Sequence, residues 1–535
     1  MKRHVFISIA ALLALAAPAA AQPVGTPNFV GVTANTGTFG SLTTTGAAGA
    51  NAASVTATGS TTARTLGDRA ADVINIRDRG AKCDGTTNDT AAIQAAAAAI
   101  PATGGVVYIP PGVCLVRATT FLKSNTTVKG DGWGSVLLAD ATWPATGGQY
   151  AVFENVNWAA TSITDTNITI QDIQLDYGSF GPILPSGGGK HMVRFRQTQN
   201  VIVRNVLFQT RGAEDAVAGL GVLNMLVDGN SAYDFRNCAY DFWTSPTKVR
   251  IVNNYAQTDH SAQVFNFNPE GAVGPGVASG LVVANNNFVV TGARAGPSIA
   301  APLAAGTTVD DIVVAGNLFD NAYLVIRGAV TNAVVSNNVF NKPRGGDSVI
   351  LAYANAGGTP NNLTISGNNI VDPDTAAPNI AVIRADATGT MSTITGNTIS
   401  GSSYSAVPGI ATGTNVTVVS GNYVSTGAVS TSFSISNTGD LRVPNGSSMK
   451  WYDASGGPVY MKLQTDNNLV AQGTDATGAI RNLFSIQQRN STSPFIFAIP
   501  IATSQTVQLT AIPTTCTGHG SGTLWSNAGV VNICP

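Results

Sequence analysis

The sequence predicts an all-β solenoid, and three observations carry that expectation. The first is a repeat of short alternating strands closed by Gly-Asn or Asn-Asn. It shows in Asp311-Ile-Val-Val-Ala-Gly-Asn317, Asn332-Ala-Val-Val-Ser-Asn-Asn338 and Asn362-Leu-Thr-Ile-Ser-Gly-Asn368. The second is its period. Counted between Asn205, Asn230, Asn254, Asn286, Asn317, Asn338, Asn368, Asn397 and Asn422, with Asp172 at the same place in an earlier copy, the steps run from roughly 21 to 33 residues, the range of stacked-repeat proteins. The third is composition. Gly is abundant at 58 residues, only 11% of the 535 residues are charged, and helix formers other than Ala are scarce. Many short strands and tight turns suit that mixture. A net charge of −1 argues against a nucleic-acid partner held by a basic field.

In chain order, residues 1–21 read as a secretory signal peptide. Lys2-Arg3 gives a charged start, an apolar run follows, and Ala19-Ala20-Ala21 forms a small-residue cleavage site. Export to the periplasm, the cell surface or the medium is therefore expected, with no membrane span once the signal is removed. Residues 22–66 are rich in Gly, Thr, Ala and Ser and read as a low-complexity stalk or linker; a strand-exchanging stem is the sharper alternative. Five cysteines follow the signal. Cys83 with Cys114, and Cys516 with Cys534, are possible pairs, with Cys238 left over. No Cys/His spacing resembles a zinc site, and no metal or other cofactor is expected.

The segment from residue 73 carries the most recognisable pattern. A strand over residues 73–76 leads into a turn-rich loop. Asn88 or Asp89 then caps a helix over residues 90–100, which ends at Pro101 and Gly104-Gly105. Asp78-Arg79-Gly80-Ala81, Asp84-Gly85 and Asn88-Asp89-Thr90-Ala91-Ala92-Ile93-Gln94-Ala95 resemble the opening of the pectate lyase superfamily domain. Secreted pectin-degrading enzymes and bacteriophage tailspike depolymerases share that domain. Gly104-Gly105-Val-Val-Tyr108-Ile109-Pro110 continues the match, while Arg79 and Asn88 depart from it. The resemblance implies a right-handed parallel β-helix over residues 67–437, opened by a capping helix that covers its end. The acids of the opening motif are then turn and cap residues. The anchor asparagines fit a structural ladder, with the Asn itself in the left-handed turn conformation.

Residues 438–535 change texture to short strands joined by Gly, Asn and Asp turns, which suggests antiparallel hairpins. The final segment looks like the closing segment of phage tail proteins, and that resemblance implies a homotrimer.

A β-helix offers long faces along which a polysaccharide can lie. Acids gather most densely at residues 209–270. Asp241, Asp215, Glu214, His260 and Glu270 are the candidate catalytic groups. Two carboxyl groups flanking a glycosidic bond supply general acid and base, or acid and nucleophile. Trp243 is the candidate sugar platform, and Arg211, Arg327 and Arg384 the candidate clamps for acidic sugars. Strict alternation places Tyr240 and Phe242 inward and Asp241 and Trp243 outward. By the same rule Val193 and Phe195 point inward and Arg194 and Arg196 outward. The Gly518-His519-Gly520 triplet lies outside the repeats, and no calcium-binding Asp cluster of the pectate lyase type is present. The expected function is therefore polysaccharide binding and cleavage, by hydrolysis or by elimination. The alternative is a non-catalytic β-helix adhesin or a tailspike-like receptor-binding protein. Asp241 more than about 10 Å from every other carboxylate would favour that alternative.

Overall fold

The computed structural model describes residues 54–139, 143, 150–178, 190–211, 213–260, 263–269, 276–291, 298–300, 307–343, 348–355, 358–373, 381–385, 392–401, 410–412 and 416–424, and beyond these the backbone of seven strands between residues 448 and 533. The signal peptide, most of the stalk, Glu270, Cys516 and Cys534 lie outside the described residues. Two compact units are distinguished, residues 1–71 and 72–535. In the first, strands Ser54–Thr56 and Ala63–Thr65 pair antiparallel and lead into a short helix, Leu66–Ala71, none of whose residues is buried.

The second unit is a right-handed parallel β-helix. Three parallel sheets run its length. We term the eleven-stranded one sheet A and the two thirteen-stranded ones sheets B and C. A full coil visits them in that order, as in Lys190–Arg196 (A), Thr198–Arg204 (B) and Leu207–Gln209 (C). Inward positions are almost wholly apolar. On sheet C, Phe288, Phe319 and Phe340 stack with ring centroids 5.5 and 4.8 Å apart. Residues of like type in register extend one apolar column through successive coils.

The capping helix is Thr90–Ala98. Asn88 supplies the cap, its Oδ1 accepting from the Thr90 backbone N–H at 3.2 Å and from the Thr90 hydroxyl at 2.6 Å. Asp89 instead accepts from the Lys82 and Cys83 backbone N–H groups at 2.8 and 3.0 Å. Asp84 accepts from Thr86 and Thr87, and those hydrogen bonds hold its carboxyl below the usual carboxylate range. These acids thus close turns. Cys83 and Cys114 form a disulfide across the cap, while Cys238 is free and buried.

The asparagine ladder differs from the expected one at two positions. Asn230, Asn254, Asn286, Asn317, Asn338, Asn368, Asn397 and Asn422 form one column, each Nδ2 donating to the next Oδ1 at 2.9 to 3.0 Å. Asn205 and Asp172 stand outside that column. They belong to the neighbouring exposed row, where the Asn205 amide donates to Asp172 at 2.7 Å. The left-handed conformation also falls one residue earlier than expected, at positions such as Gly229, Asn253, Asn285, Gly316 and Asn337. The turn residue needs φ above zero, whereas the ladder residue needs an amide that both donates and accepts. A second row, Asn125, Asn167, Asn200 and Asn224, links its side chains at the corner between sheets A and B.

Downstream, Ser448–Tyr452, Pro458–Leu463, Leu469–Thr474, Ile480–Gln487 and Ile496–Ala498 form an antiparallel sheet in chain order. Leu524–Asn527 and Val530–Ile533 form a hairpin.

Candidate active site on sheet A

Four consecutive strands of sheet A break the inward-outward alternation. In each, two successive residues both join the core: Met192 and Val193, Ala216 and Val217, Ala239 and Tyr240, Val264 and Phe265. A strand can do this where the chain rounds the corner from sheet C. The residues on either side of the pair, three apart in sequence, are then brought to the same outer side. Cys238 and Asp241 flank one such pair. Asp215 Oδ, Cys238 Sγ and Asp241 Oδ lie within 4.8 Å of one another.

The register brings the remaining groups in. His191 lies beside Asp215, and Asp215 beside Cys238. His191 Nδ1 and Asp215 Oδ2 are 2.6 Å apart, and both side chains are buried. The opposite ring atom, His191 Nε2, is buried with no hydrogen-bond partner. Asp215 Oδ1 accepts from the Cys238 backbone N–H at 2.9 Å and from Asn237 Nδ2 at 3.0 Å. Asp241 Oδ1 accepts from Asn266 Nδ2 at 2.8 Å. Half-buried Glu214 has a carboxylate oxygen within 4.8 Å of both His191 and Asp215. The Trp243 ring, half-exposed, lies 6.1 Å from the His191 ring between centroids.

Burial sets the protonation of this group. It pushes the His191 imidazole down to about 4, with the Arg194 charge acting in the same direction, so the ring is neutral at neutral pH. It pushes the Asp215 carboxyl up to about 7 against the pull of Asn237 and the Cys238 N–H. Asp241 is raised well above the carboxylate range by burial and then by the charge of Asp215. Two acids this close in a dry setting do not both ionise, and a proton stays with the pair. Burial also raises the Cys238 thiol.

Beside the cluster, Arg194 Nη2 and Glu154 Oε1 pair at 2.5 Å, with the Trp158 ring 3.7 Å from the guanidinium carbon. Alternation correctly sends Arg194 and Asp241 to the outer side. Both are nevertheless buried, at 3% and 7% exposure.

Asp241, Asp215, Glu214 and Trp243 thus meet in one place. His260 goes elsewhere, with Nε2 3.0 Å from Asp234 and 3.6 Å from Asp259. It sits at the corner after sheet C, in the turn after strand Tyr255–Thr258, three residues before strand Gln263–Asn268 begins. Arg211 is bound to Asp176, Nε to Oδ1 at 3.0 Å, at the same corner. Arg327 and Arg384 stand on later strands of sheet A. Sequence reasoning missed His191, Glu154 and Asn266. The signal for them was one coil of separation: His191 precedes Asp215 by 24 residues, and Asn266 follows Asp241 by 25.

The fold is a parallel β-helix with carboxyl groups and an imidazole gathered on one sheet. Residues 73–222 match the family described as rhamnogalacturonase A/epimerase, pectate lyase-like. The chain therefore carries a pectate lyase-like domain, as its opening motif implied. Among curated relatives, plasmin and fibronectin-binding protein A of Streptococcus pneumoniae is 27% identical over 363 residues, 60% of this chain and 49% of its own. Mannuronan C5-epimerase AlgE3 of Azotobacter vinelandii is 28% identical over 213 residues, 34% of this chain and 12% of its own. The chain spans about half or less of the length of these relatives. Among solved structures, DFA-IIIase from Arthrobacter chlorophenolicus A6 aligns with a TM-score of 0.50 at 16% identity, covering 66% of this chain and 99% of that one. That likeness concerns the fold alone.

Proposed function

We propose that this protein is an exported enzyme that binds a polysaccharide along sheet A and hydrolyses its glycosidic bonds. The observation that carries the reading is the meeting of Asp241, Asp215, Glu214 and His191. Asp241 lies within 4.8 Å of another carboxylate, far inside the separation that would favour a binding-only protein. In this reading Asp241, kept protonated, gives its proton to the leaving glycosidic oxygen. Water adds to the anomeric carbon as that bond breaks, and Glu214 takes the water's proton. His191, buried and paired with Asp215, holds that carboxyl in place, and the half-exposed Trp243 stacks on a ring. Asp215 is a positioning residue, since it is fully buried and its charge helps keep the proton on Asp241. The signal-like N-terminus and the Cys83–Cys114 disulfide support export, because such bonds persist in oxidising compartments. The pectate lyase-like match and the epimerase relative support a polysaccharide ligand. A homotrimer, implied by the C-terminal resemblance, belongs to the same reading and is tested by light scattering.

The test is incubation with a panel of plant and bacterial polysaccharides, reading reducing ends and ultraviolet absorbance together. Reducing ends without absorbance are expected. In D241N their release should fall about a thousandfold, the scale of a lost general acid plus its share of transition-state binding. Absorbing, unsaturated products would replace hydrolysis by elimination. Binding without any product would favour the second reading, an adhesin, which the plasmin- and fibronectin-binding relative supports.

A further inference from the structure

We propose that Cys238, Asp215 and Asp241 form a metal site that takes a thiolate-seeking divalent cation of the Zn²⁺ type. Two neighbouring strands of sheet A supply the donors. The core pair Ala239 and Tyr240 leaves Cys238 and Asp241 on the same outer side, and Asp215 comes alongside Cys238 from the preceding coil. One ligand atom from each of the three lies within 4.8 Å of the others, and all three residues are buried. Sulfur and oxygen ligands on tetrahedral Zn²⁺ stand about 3.5 Å apart, so closing on an ion takes side-chain shifts of about 1 Å. A second donor group shares Asp215. A ring nitrogen of His191 and a carboxylate oxygen of Glu214 lie within 4.8 Å of it and of each other. His191 is 2% exposed, yet its Nε2 has no hydrogen-bond partner. A dry, unanswered imidazole nitrogen among four further ligand-type groups is a separate sign of a cation. Half-buried Glu214 reaches water and offers the ion an entry.

Each of the three ligands also has a partner that orients it. Asp215 faces His191 Nδ1 at 2.6 Å, Asn237 Nδ2 at 3.0 Å and the Cys238 N–H at 2.9 Å. Asp241 accepts from Asn266 Nδ2 at 2.8 Å. Cys238 Sγ lies 3.6 Å from Gln263 Oε1, and the same amide turned over presents an N–H to a thiolate. Metal ligands are commonly held in this way by outer hydrogen bonds. The sulfur decides the ion. Thiolate suits Zn²⁺ and similar cations, whereas Ca²⁺ and Mg²⁺ take oxygen ligands. Binding sends the Cys238 thiol proton and the Asp241 carboxyl proton to water. Asp241 then has no proton for a leaving oxygen, so the ion-free chain is the active form and the cation inhibits it. That consequence rests on the hydrolytic reading above, while the ion site stands without it.

The experiment titrates the metal-free full chain with Co²⁺ and reads the near-ultraviolet thiolate-to-cobalt charge-transfer band, which needs no catalysis. One Co²⁺ per chain giving this band is expected, with Zn²⁺ displacing it. C238A should lose the band and bind Zn²⁺ at least about a hundredfold more weakly, the upper end of what loss of an outer partner alone costs. The same variant separates this site from Cys516 and Cys534. Melting curves check its folding, and C238S, closer in volume, repeats the comparison if C238A melts early. Hydrolysis by the parent should fall at least about tenfold in saturating Zn²⁺ and recover on chelation, while hydrolysis by C238A should not respond. The band without any hydrolysis would support the site and count against the hydrolytic reading alone. The proposal is overturned if no band forms, or if C238A keeps the band or the Zn²⁺ affinity. It is also overturned if Ca²⁺ competes as tightly as Zn²⁺, or if Zn²⁺ inhibits C238A and the parent alike.

Discussion

The same coils carry two sets of buried polar side chains, and the two differ in how completely they are satisfied. At the turn between sheets B and C, every ladder asparagine from Asn254 to Asn397 has its amide nitrogen and oxygen engaged. Asn317 is representative. Its Oδ1 accepts from the Asn286 backbone N–H at 3.0 Å and from Asn286 Nδ2 at 2.9 Å, while its Nδ2 donates to Val283 O at 2.9 Å. On sheet A the His191–Asp215–Asp241 group is as deeply buried, yet His191 Nε2 has no partner and the acids hold protons they would lose in water. Saturated buried polar groups fix a fold, while those kept incomplete and shifted are where chemistry is available. Repetition at one coil of spacing does not by itself tell the two apart. What tells them apart is whether each donor and acceptor is answered within the column.

Substitution in each region sharpens this contrast, and the ladder gives the larger expected effect on stability. Asn317→Leu keeps the volume but strands the Asn286 donors and leaves Val283 O without its side-chain donor. The loss should be roughly 2–5 kcal/mol in chemical unfolding, with activity per folded molecule retained. A change under about 0.5 kcal/mol would show the column to be ornamental. Asp215→Asn is the counterpart on sheet A. It preserves the acceptor for Asn237 and Cys238 but removes the charge that helps hold the proton on Asp241. Activity should fall about a hundredfold with little change in melting temperature. An unchanged rate would remove Asp215 from the mechanism, and a collapse in stability would place it with the ladder.

Much of this fold was legible because its signals are local. The Gly-Asn repeat, the Asp84-Gly85 turn and the Asn88 cap each act within a few residues, so sequence neighbours report them. The ladder was misplaced by one residue because Asn205 and Asn230 look alike in sequence. Only the φ of Asn205, at 49°, puts it in the turn row. The site was half legible. Asp241 and Trp243 followed from alternation, and Glu214 and Asp215 from the density of acids. His191 was lost because alternation from Val193 and Phe195 sends it inward, whereas the doubled core pair Met192 and Val193 turns it back out. His260 attracted attention as a histidine next to an acid, but its contacts are at the sheet C corner. Coil register, which joins His191 to Asp215 and Asp215 to Cys238, is a property of the stacked structure and has no counterpart within any single repeat.

The smallest predicted effect separates the two regions by pH, since the ladder does not titrate. The folded chain keeps a proton on Asp215 up to about 7, against an ordinary value of 3.8. The unfolded chain releases that proton first, so this contribution is present at low pH and is lost as pH rises through about 7. Asp241 is shifted in the same direction. His191 runs the other way. With its value pushed from 6.5 down to about 4, its contribution is present above 6.5 and is lost as pH falls through about 4. Between about 4 and 6.5 the His191 gradient offsets one of the two carboxyl gradients and the other remains; the Asp215 gradient ends near 7. The wild-type melting temperature should therefore decline as pH rises from about 4 to about 7. The D215N/D241N double variant should lose that decline, and Asn317→Leu should keep it at a lower baseline. A wild-type melting temperature that rises from pH 4 to 7 would mean that these acids are not held protonated, and with them the assignment of Asp241 as proton donor would fail.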